Sequence, residues 1–270
     1  MGFALAPQAC EAAYGLVAHD TIGSTSADAL ERLRAGAASP FWVVSLHQSQ
    51  GRGRRGTAWQ TQPGNLAASL AITTKAGPAT IATLGFVAGV ALVRALETCC
   101  ALHREEKGVG ASFALKWPND VLVGGAKLAG ILIETETLGD LRAVVIGIGT
   151  NVIHAPGGLA YPTTSLAALG FDVSAETLFV ALSAAWIEVV GIWDEGRGFA
   201  AVRDLWLDHA AGLGKPVVVR AGSGTVSGIF QTIDPQGQLV LRNGEGGLET
   251  VAAGEVYFGA AATVRPEAVA

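Results

Sequence analysis

Acidic residues are missing from a long stretch of this chain. No Asp or Glu lies between Arg32 and Arg94, while Arg34, Arg52, Arg54, Arg55 and Lys75 in that interval are basic. The net charge of the whole chain is −5, so this is a local positive region in an acidic protein. That distribution suits one small anionic ligand, because broad nucleic-acid binding needs an extended basic face. Cysteine is scarce as well. Cys10, Cys99 and Cys100 are an odd number without C-x-x-C spacing, which argues against a disulfide framework or zinc site and for a reduced, cytoplasmic setting. There is no basic patch followed by an apolar run and a small-residue cleavage site, so no export signal is expected. Apolar runs fall short of a membrane span: Ile81–Ala95 is the nearest, and its Gly85, Gly89 and Arg94 suit a buried helix better. Also absent are a Ser-His-Asp signature, an H-E-x-x-H helix and any Cys/His metal cluster.

What is present is a core-rich chain. Half of its 270 residues are apolar, enough for one sizeable α/β domain and a small appendage. Leu16–His19, Phe41–Leu46 and Asn65–Thr73 read as strands. Ala27–Ala35 reads as a helix, with Thr25 and Asp28 at capping-box spacing and Gly36 as its terminating glycine. Ala79–His103 has the length of a long buried helix. Ala114–Trp117, Val121–Val123, Leu128–Thr135 and Leu141–Ile148 are closely spaced strands, a meander of mostly antiparallel or mixed type. Ala175–Trp193 and Phe199–His209 read as helices. After Leu213 the texture changes to four short strands, Pro216–Arg220, Thr225–Ile233, Gln238–Leu241 and Glu249–Ala252, which suggest a small β-barrel. The expected division is 1–212, 213–258 and a tail, 259–270.

Gly51-Arg52-Gly53-Arg54-Arg55-Gly56 concentrates three planar cations on a flexible backbone and asks for an anion. It matches G-x-G-x-x-G, yet the following Thr57–Gly64 does not begin a helix and no acid lies about 20 residues on, so a dinucleotide fingerprint is excluded. It is no P-loop either, since Thr57 stands where lysine is required. Ser24-Thr25-Ser26 reads as a helix N-cap, and equally as a seat for a polar or anionic group at a helix N-terminus. Lys116-Trp117-Pro118-Asn119-Asp120 is either a surface turn with a half-buried tryptophan or a cluster of cation, indole and carboxylate at a site. Lys127 alone reads as an ordinary hairpin lysine. Gly147-Ile148-Gly149-Thr150-Asn151 allows close approach to a flat ligand, or simply a tight turn.

Taken in order, S-T, Q-x-x-G-R-G-R-R-G-x-x-W, P-G-N-L, K-W-P-N-D, K-x-x-G-I-L-x-E and G-I-G-x-N-V resemble the biotin protein ligase family over roughly residues 16–258. The resemblance implies a central mixed sheet flanked by helices, the fold shared with lipoate ligases, with a small C-terminal SH3-like β-barrel. It implies an enzyme that activates biotin with ATP and Mg²⁺ as biotinyl-5′-AMP and transfers biotin to a lysine of a biotin carboxyl carrier protein. By the same resemblance Ser24, Thr25, Ser26 and Gln48 contact biotin, and Arg52, Gly53 and Arg54 close over the adenylate. Lys127 matches the active-site lysine, with Arg54 beside it in catalysis. Trp59 walls the adenine side, Lys116, Asn119 and Asp120 serve ATP, with Asp120 toward the metal, and Asn151 lies near the nucleotide.

Three positions depart from the family pattern: Ser26 stands where Asn is common, Gln50 where a small residue is usual, and Thr150 where an aliphatic is usual. Fewer than twenty residues precede the first motif, so no winged-helix domain, operator binding or nucleic-acid partner is expected, and no membrane partner. Family members dimerise through sheet edges, which leaves a homodimer open. Two other readings stay in view, a lipoate or octanoate ligase of the same fold and a non-catalytic ligand sensor built on it.

Overall fold

The computed structural model describes residues 2–59, 61–107, 110–222 and 224–258; the expected tail, 259–270, lies outside them. In chain order the first sheet is built from β1 (Gly15–Ile22), β2 (Phe41–Gln48), β3 (Leu66–Thr74), β4 (Phe113–Lys116), β5 (Asp120–Val123), β6 (Ala126–Leu138) and β7 (Leu141–Thr150). Its order is β1-β2-β3-β7-β6-β5-β4. Only β1 and β2 run parallel; the other pairs are antiparallel. A parallel pair needs a crossover, which α2 (Thr25–Arg34) supplies. A short helix α1 (Pro7–Glu11) precedes it, and α3 (Pro78–Ala82), α4 (Leu84–Lys107), α5 (Ala175–Trp193) and α6 (Phe199–Asp208) follow.

Both faces of the sheet are covered, and the period-two alternation of its strands decides which residue goes where. Trp42 and Val44 of β2 and Leu66, Ala68 and Leu70 of β3 join the core with α4 and α5. Their neighbours Phe41, Val43 and Ala71 face the other way and meet Ala29 and Leu33 of α2 together with Ala143 and Val145 of β7. Gly89 lets α4 close on the sheet, since a Cβ there would stand 3.1 Å from Leu115.

α3–α4 and α5 are each long and apolar enough to cross a membrane, contrary to the expectation from sequence. In the fold they pack against one another and the sheet, joined by an Arg94–Glu188 ion pair of 3.3 Å. The apolar stripe of Pro78–Ala101 is mostly buried, the condition of a core helix.

A second sheet comprises β8 (Pro216–Ala221), β9 (Gly224–Ile233), β10 (Leu239–Arg242), β11 (Leu248–Val251) and β12 (Glu255–Phe258), in the order β11-β10-β9-β8-β12. It has five antiparallel strands rather than the expected four, as in an SH3-like barrel. The extra one, β12, completes the sheet by pairing with β8. Its sequence, E-V-Y-F, is too short to stand out before its partner is known.

The cap of α2 also differs from expectation. Ser24, not Thr25, is the N-cap, accepting from the Ala27 amide at 3.4 Å, and Asp28 turns instead to Arg32 at 2.6 Å. The terminating glycine is as expected, with Gly36 at φ 83°.

Candidate functional site

α2 covers only part of its face of the sheet. Beyond its N-terminus, the face continues over Ser69 of β3, Gly147 and Gly149 of β7, and Gly130 of β6, in register Ser69↔Gly147 and Gly130↔Gly149. Neither Gly147 nor Gly149 has a positive φ. A Cβ on Gly147 would lie 2.9 Å from Ser26 Oγ, and one on Gly149 would lie 2.5 Å from the Trp59 indole. Close approach, not a tight turn, is therefore what these glycines provide. They pave a strip of the sheet, covered by Ser26 and Trp59, whose two ends have different chemistry.

One end is a hydroxyl pocket. The Thr25 amide donates to Gln48 Oε1 at 2.7 Å, which fixes the orientation of that side-chain amide because an N–H can only donate. Thr25 Oγ1 donates to the same oxygen at 3.0 Å. Its proton thus committed, Thr25 Oγ1 accepts from Ser69 Oγ at 2.7 Å, and Ser69 in turn accepts from Ser26 Oγ at 3.0 Å. The relay runs one way and leaves the Gln48 Nε2 donors for another partner. Ser24, Thr25 and Gln48 are all buried. Ser69 is fully buried at the centre of this relay and was not singled out from the sequence. Its only local signal is a polar residue at the centre of the otherwise apolar run L-A-A-S-L-A-I.

The other end gathers charge. A β-bulge between β5 and β6 shifts the register at Val121/Leu122, so that Leu128 and Ala129 both enter the core and Lys127 is re-aimed over Gly130. Its Nζ would stand 3.4 Å from a Cβ there. Lys127 Nζ is 2.7 Å from Asp120 Oδ1, an ion pair whose angle falls short of a hydrogen bond. That buried oxygen has no hydrogen-bond partner among the described residues. The Lys127 ammonium is bracketed by the rings of Trp59 and Tyr161, each centroid 5.5 Å away.

Lys116 sits beside Asp120 and is covered by Tyr257 and Phe258 of β12, at 5.8 and 5.9 Å. Burial holds its ammonium below the ordinary lysine value, with Lys127 adding to the depression and Asp120 and Glu255 opposing it. Arg54 Nη1 donates to Asn119 Oδ1 and to the Gly254 carbonyl, both at 3.2 Å. Its guanidinium is likewise shifted downward, first by burial and then by Arg55, against Asp120 and Glu255.

The arginine loop is a folded hairpin. Arg52 bridges to Ala58, Arg54–Gly56 form a 3₁₀ turn, and the Trp59 amide donates to the Gly51 carbonyl at 2.9 Å. A Cβ on Gly51 would stand 2.6 Å from the Trp59 carbonyl oxygen, so this glycine serves the closed hairpin rather than a hinge. Of the basic residues in the acid-free interval and at its ends, Arg32, Arg34 and Arg94 are paired with Asp28, Glu136 and Glu188. Among the described residues, none of the three loop arginines has an ion pair. Arg52 remains exposed at the mouth.

Asn151, expected near the nucleotide, is buried and donates through its side-chain amide to the Thr164 carbonyl at 3.1 Å. It follows Gly147 and Gly149 on the same face and ties down the segment that is hydrogen-bonded to Lys127. Trp117, alternatively a half-buried surface residue, is a core residue whose indole N–H donates to the Gly237 carbonyl at 3.1 Å. No group of three or more His, Cys, Asp or Glu that could hold a metal by itself occurs among the described residues. Mg²⁺ often uses one or two carboxylates and takes its remaining ligands from phosphates and water. The Asp120 carboxylate, whose buried Oδ1 rests against Lys127 Nζ, is one carboxylate of that kind.

Residues 20–151 match the model of the biotin/lipoate A/B protein ligase family, and residues 212–259 match the biotin protein ligase C-terminal domain. A biotin–[acetyl-CoA-carboxylase] ligase of Paracoccus denitrificans is 39% identical over 243 residues, covering 87% of this chain and 97% of that protein. An enzyme of the same name from Mycobacterium tuberculosis is 34% identical, covering 87% and 85%. Among solved structures, the biotin protein ligase of Aquifex aeolicus in complex with biotin and ATP superposes with a TM-score of 0.71. It is 25% identical, with 90% of this chain and 97% of that chain covered.

Proposed function

The chain belongs to the biotin protein ligase family, and from that premise we propose how its own residues carry out the reaction. It is an ATP-dependent ligase that activates biotin as biotinyl-5′-AMP and transfers the biotinyl group to a protein lysine. One observation supports the assignment of roles: a strip of glycines lying under Ser26 and Trp59 runs from a polar pocket to a cation cluster.

Biotin's bicyclic head belongs at the hydroxyl end, where Gln48 Nε2 offers donors and Ser24, Thr25 and Ser26 surround it. Its carboxylate then points along Gly147 and Gly149 toward Lys127. In the first step a carboxylate oxygen attacks the α-phosphorus of ATP and pyrophosphate leaves. Two anions must meet, so the barrier is largely electrostatic. Lys127 contacts both groups, released from Asp120 as they arrive. Lys116, Arg54 and Arg52 take the phosphates, Gly53 lets the loop backbone approach, and Trp59 stacks on the adenine side. Asn119 orients Arg54, and Asn151 supports the bordering segment. Asp120 would hold Mg²⁺ that enters with the nucleotide, and the ion supplies charge neutralisation on the phosphates. In the second step the acceptor lysine attacks the acyl carbon and AMP departs. The folded arginine hairpin excludes water in the interval.

We place the acceptor lysine on a biotin carboxyl carrier protein, the enzyme in the cytoplasm, and catalysis in 1–212, with 213–258 as an accessory barrel. The test is pyrophosphate exchange with biotin, lipoate and octanoate, followed by labelling of a carrier domain. Biotin-dependent exchange and labelling are expected, and Lys127→Ala should lower exchange by about 10²-fold or more. Exchange with lipoate alone would overturn the substrate, and labelling without exchange loss in Lys127→Ala would overturn the lysine's role.

A further inference from the structure

Asn65 has no role in the reaction so far, yet it is among the most heavily bonded side chains near the site. It is buried, and its Oδ1 accepts from three consecutive backbone amides, Val152 at 3.0 Å, Ile153 at 2.9 Å and His154 at 3.1 Å. Its Nδ2 donates to the His154 carbonyl at 2.8 Å. Three successive N–H groups converging on one oxygen form a nest that would be costly to leave unfilled in a buried place. The position is prepared by Gly64, whose φ of 88° turns the chain into β3.

The segment locked in this way runs from Val152 to Ser165 and borders the cation cluster at Lys127. Its far stem is hydrogen-bonded to Lys127 on both sides: the Lys127 amide donates to the Pro162 carbonyl at 2.8 Å, and the Thr164 amide donates to the Lys127 carbonyl at 2.9 Å. Ser165 Oγ ties the two stems together by donating to the Ile153 carbonyl at 3.1 Å. Between the stems Tyr161 places its ring against the Lys127 ammonium. Asn65 also ends the run that leaves the arginine hairpin after Trp59. One side chain therefore links both borders of the cation end. The hydroxyl pocket, built on α2, β2 and the middle of β3, shares none of these bonds.

We propose that Asn65 is a positioning residue for adenylation: by locking the first turn of segment 152–165 it sets the backbone of Lys127 and the wall facing the nucleotide, while leaving the biotin pocket untouched. The inference rests on the ligase reading above. Its signature is a split between the two substrates. Asn65→Ala should raise KM for ATP by about tenfold, a factor equivalent to about 1.4 kcal/mol, while the biotin Kd measured without ATP stays within about twofold. Asn65→Asp keeps an oxygen that accepts the three amides but sets a carboxylate oxygen against the His154 carbonyl in place of the donor, so it should restore part of the ATP affinity. Ser165→Ala, which loosens the same turn from the other stem, should shift KM for ATP in the same direction by less. An unchanged KM for ATP in Asn65→Ala would overturn the proposal. So would parallel losses of biotin and ATP affinity with a lowered melting temperature, the pattern of a merely structural residue. If Asn65→Ala does not fold, an unchanged KM for ATP in Ser165→Ala overturns it. Absence of biotin-dependent exchange in the unsubstituted enzyme would instead sink the ligase reading, and it is seen before any variant is made.

Discussion

Lys116 shows how a single side chain carries a testable electrostatic state. Its ammonium is held below the ordinary value of 10.5, chiefly by burial under Tyr257 and Phe258. A bound triphosphate favours the charged form and pulls that value back up, so ATP binding takes up a proton on the alkaline side. The sign follows: as pH rises through the depressed value, Lys116 loses its charge and KM for ATP increases, beginning below pH 10.5. In Lys116→Arg the side chain stays charged and this limb of the KM profile should flatten. A rise of KM for ATP that is the same in both proteins would remove Lys116 from the nucleotide site. The Lys127–Asp120 pair makes a different residue-scale point. The family resemblance gives Asp120 to the metal and Lys127 the place of the active-site lysine, and the structure pairs the two side chains at 2.7 Å.

Element-scale logic is clearest on β7, where neighbouring residues point to opposite faces and have opposite tolerances. Gly149 lies under Trp59, and a methyl there would overlap its ring at 2.5 Å. Gly149→Ala should therefore displace Trp59 and raise KM for ATP, with a stability loss of about 1–3 kcal/mol in thermal melts. Thr150 faces the core, fully buried, with an Oγ1 that has no partner among the described residues. It is also one of the three departures from the family pattern. Thr150→Val removes the orphaned hydroxyl at constant shape and should stabilise by about 1 kcal/mol with exchange activity unchanged. A destabilised Thr150→Val would mean that the hydroxyl has a partner. Ser26, another departure, is accommodated without a gap, because Ser69 accepts from its hydroxyl at 3.0 Å.

For the whole molecule, the small sheet packs against the candidate site. Phe258 and Tyr257 cover Lys116, Gly254 receives Arg54, and Gly237 receives the Trp117 indole. Two of these ties start from the K-W-P-N-D run, which thereby joins the two sheets beside the proposed nucleotide site. Trp117→Phe keeps most of the apolar body and leaves the Gly237 carbonyl without its donor, so unfolding by urea should show a loss of about 1–3 kcal/mol. If stability were unchanged, the indole tie would not be holding the two sheets together.

Local chemistry made much of this protein legible in advance. Strand alternation, the Gly36 stop of α2 at φ 83° and the acid-free interval each depend on neighbours a few residues away. The arginine loop and K-W-P-N-D could be singled out for the same reason, since each carries its chemistry in its own side chains, whereas Lys127 is named only through the family resemblance. Tertiary structure alone decided the rest. Whether Gly147 and Gly149 were turn or floor depended on which side chains stood above them, and whether Lys127 faced the site depended on one extra residue in a β-bulge. Ser69 and Asn65 lie in β3 or at its edge, and their partners are 43 and 87 residues away or similar. A sequence window does not contain such partners, because hydrogen bonds between distant segments exist only once the sheet has brought them to the same face.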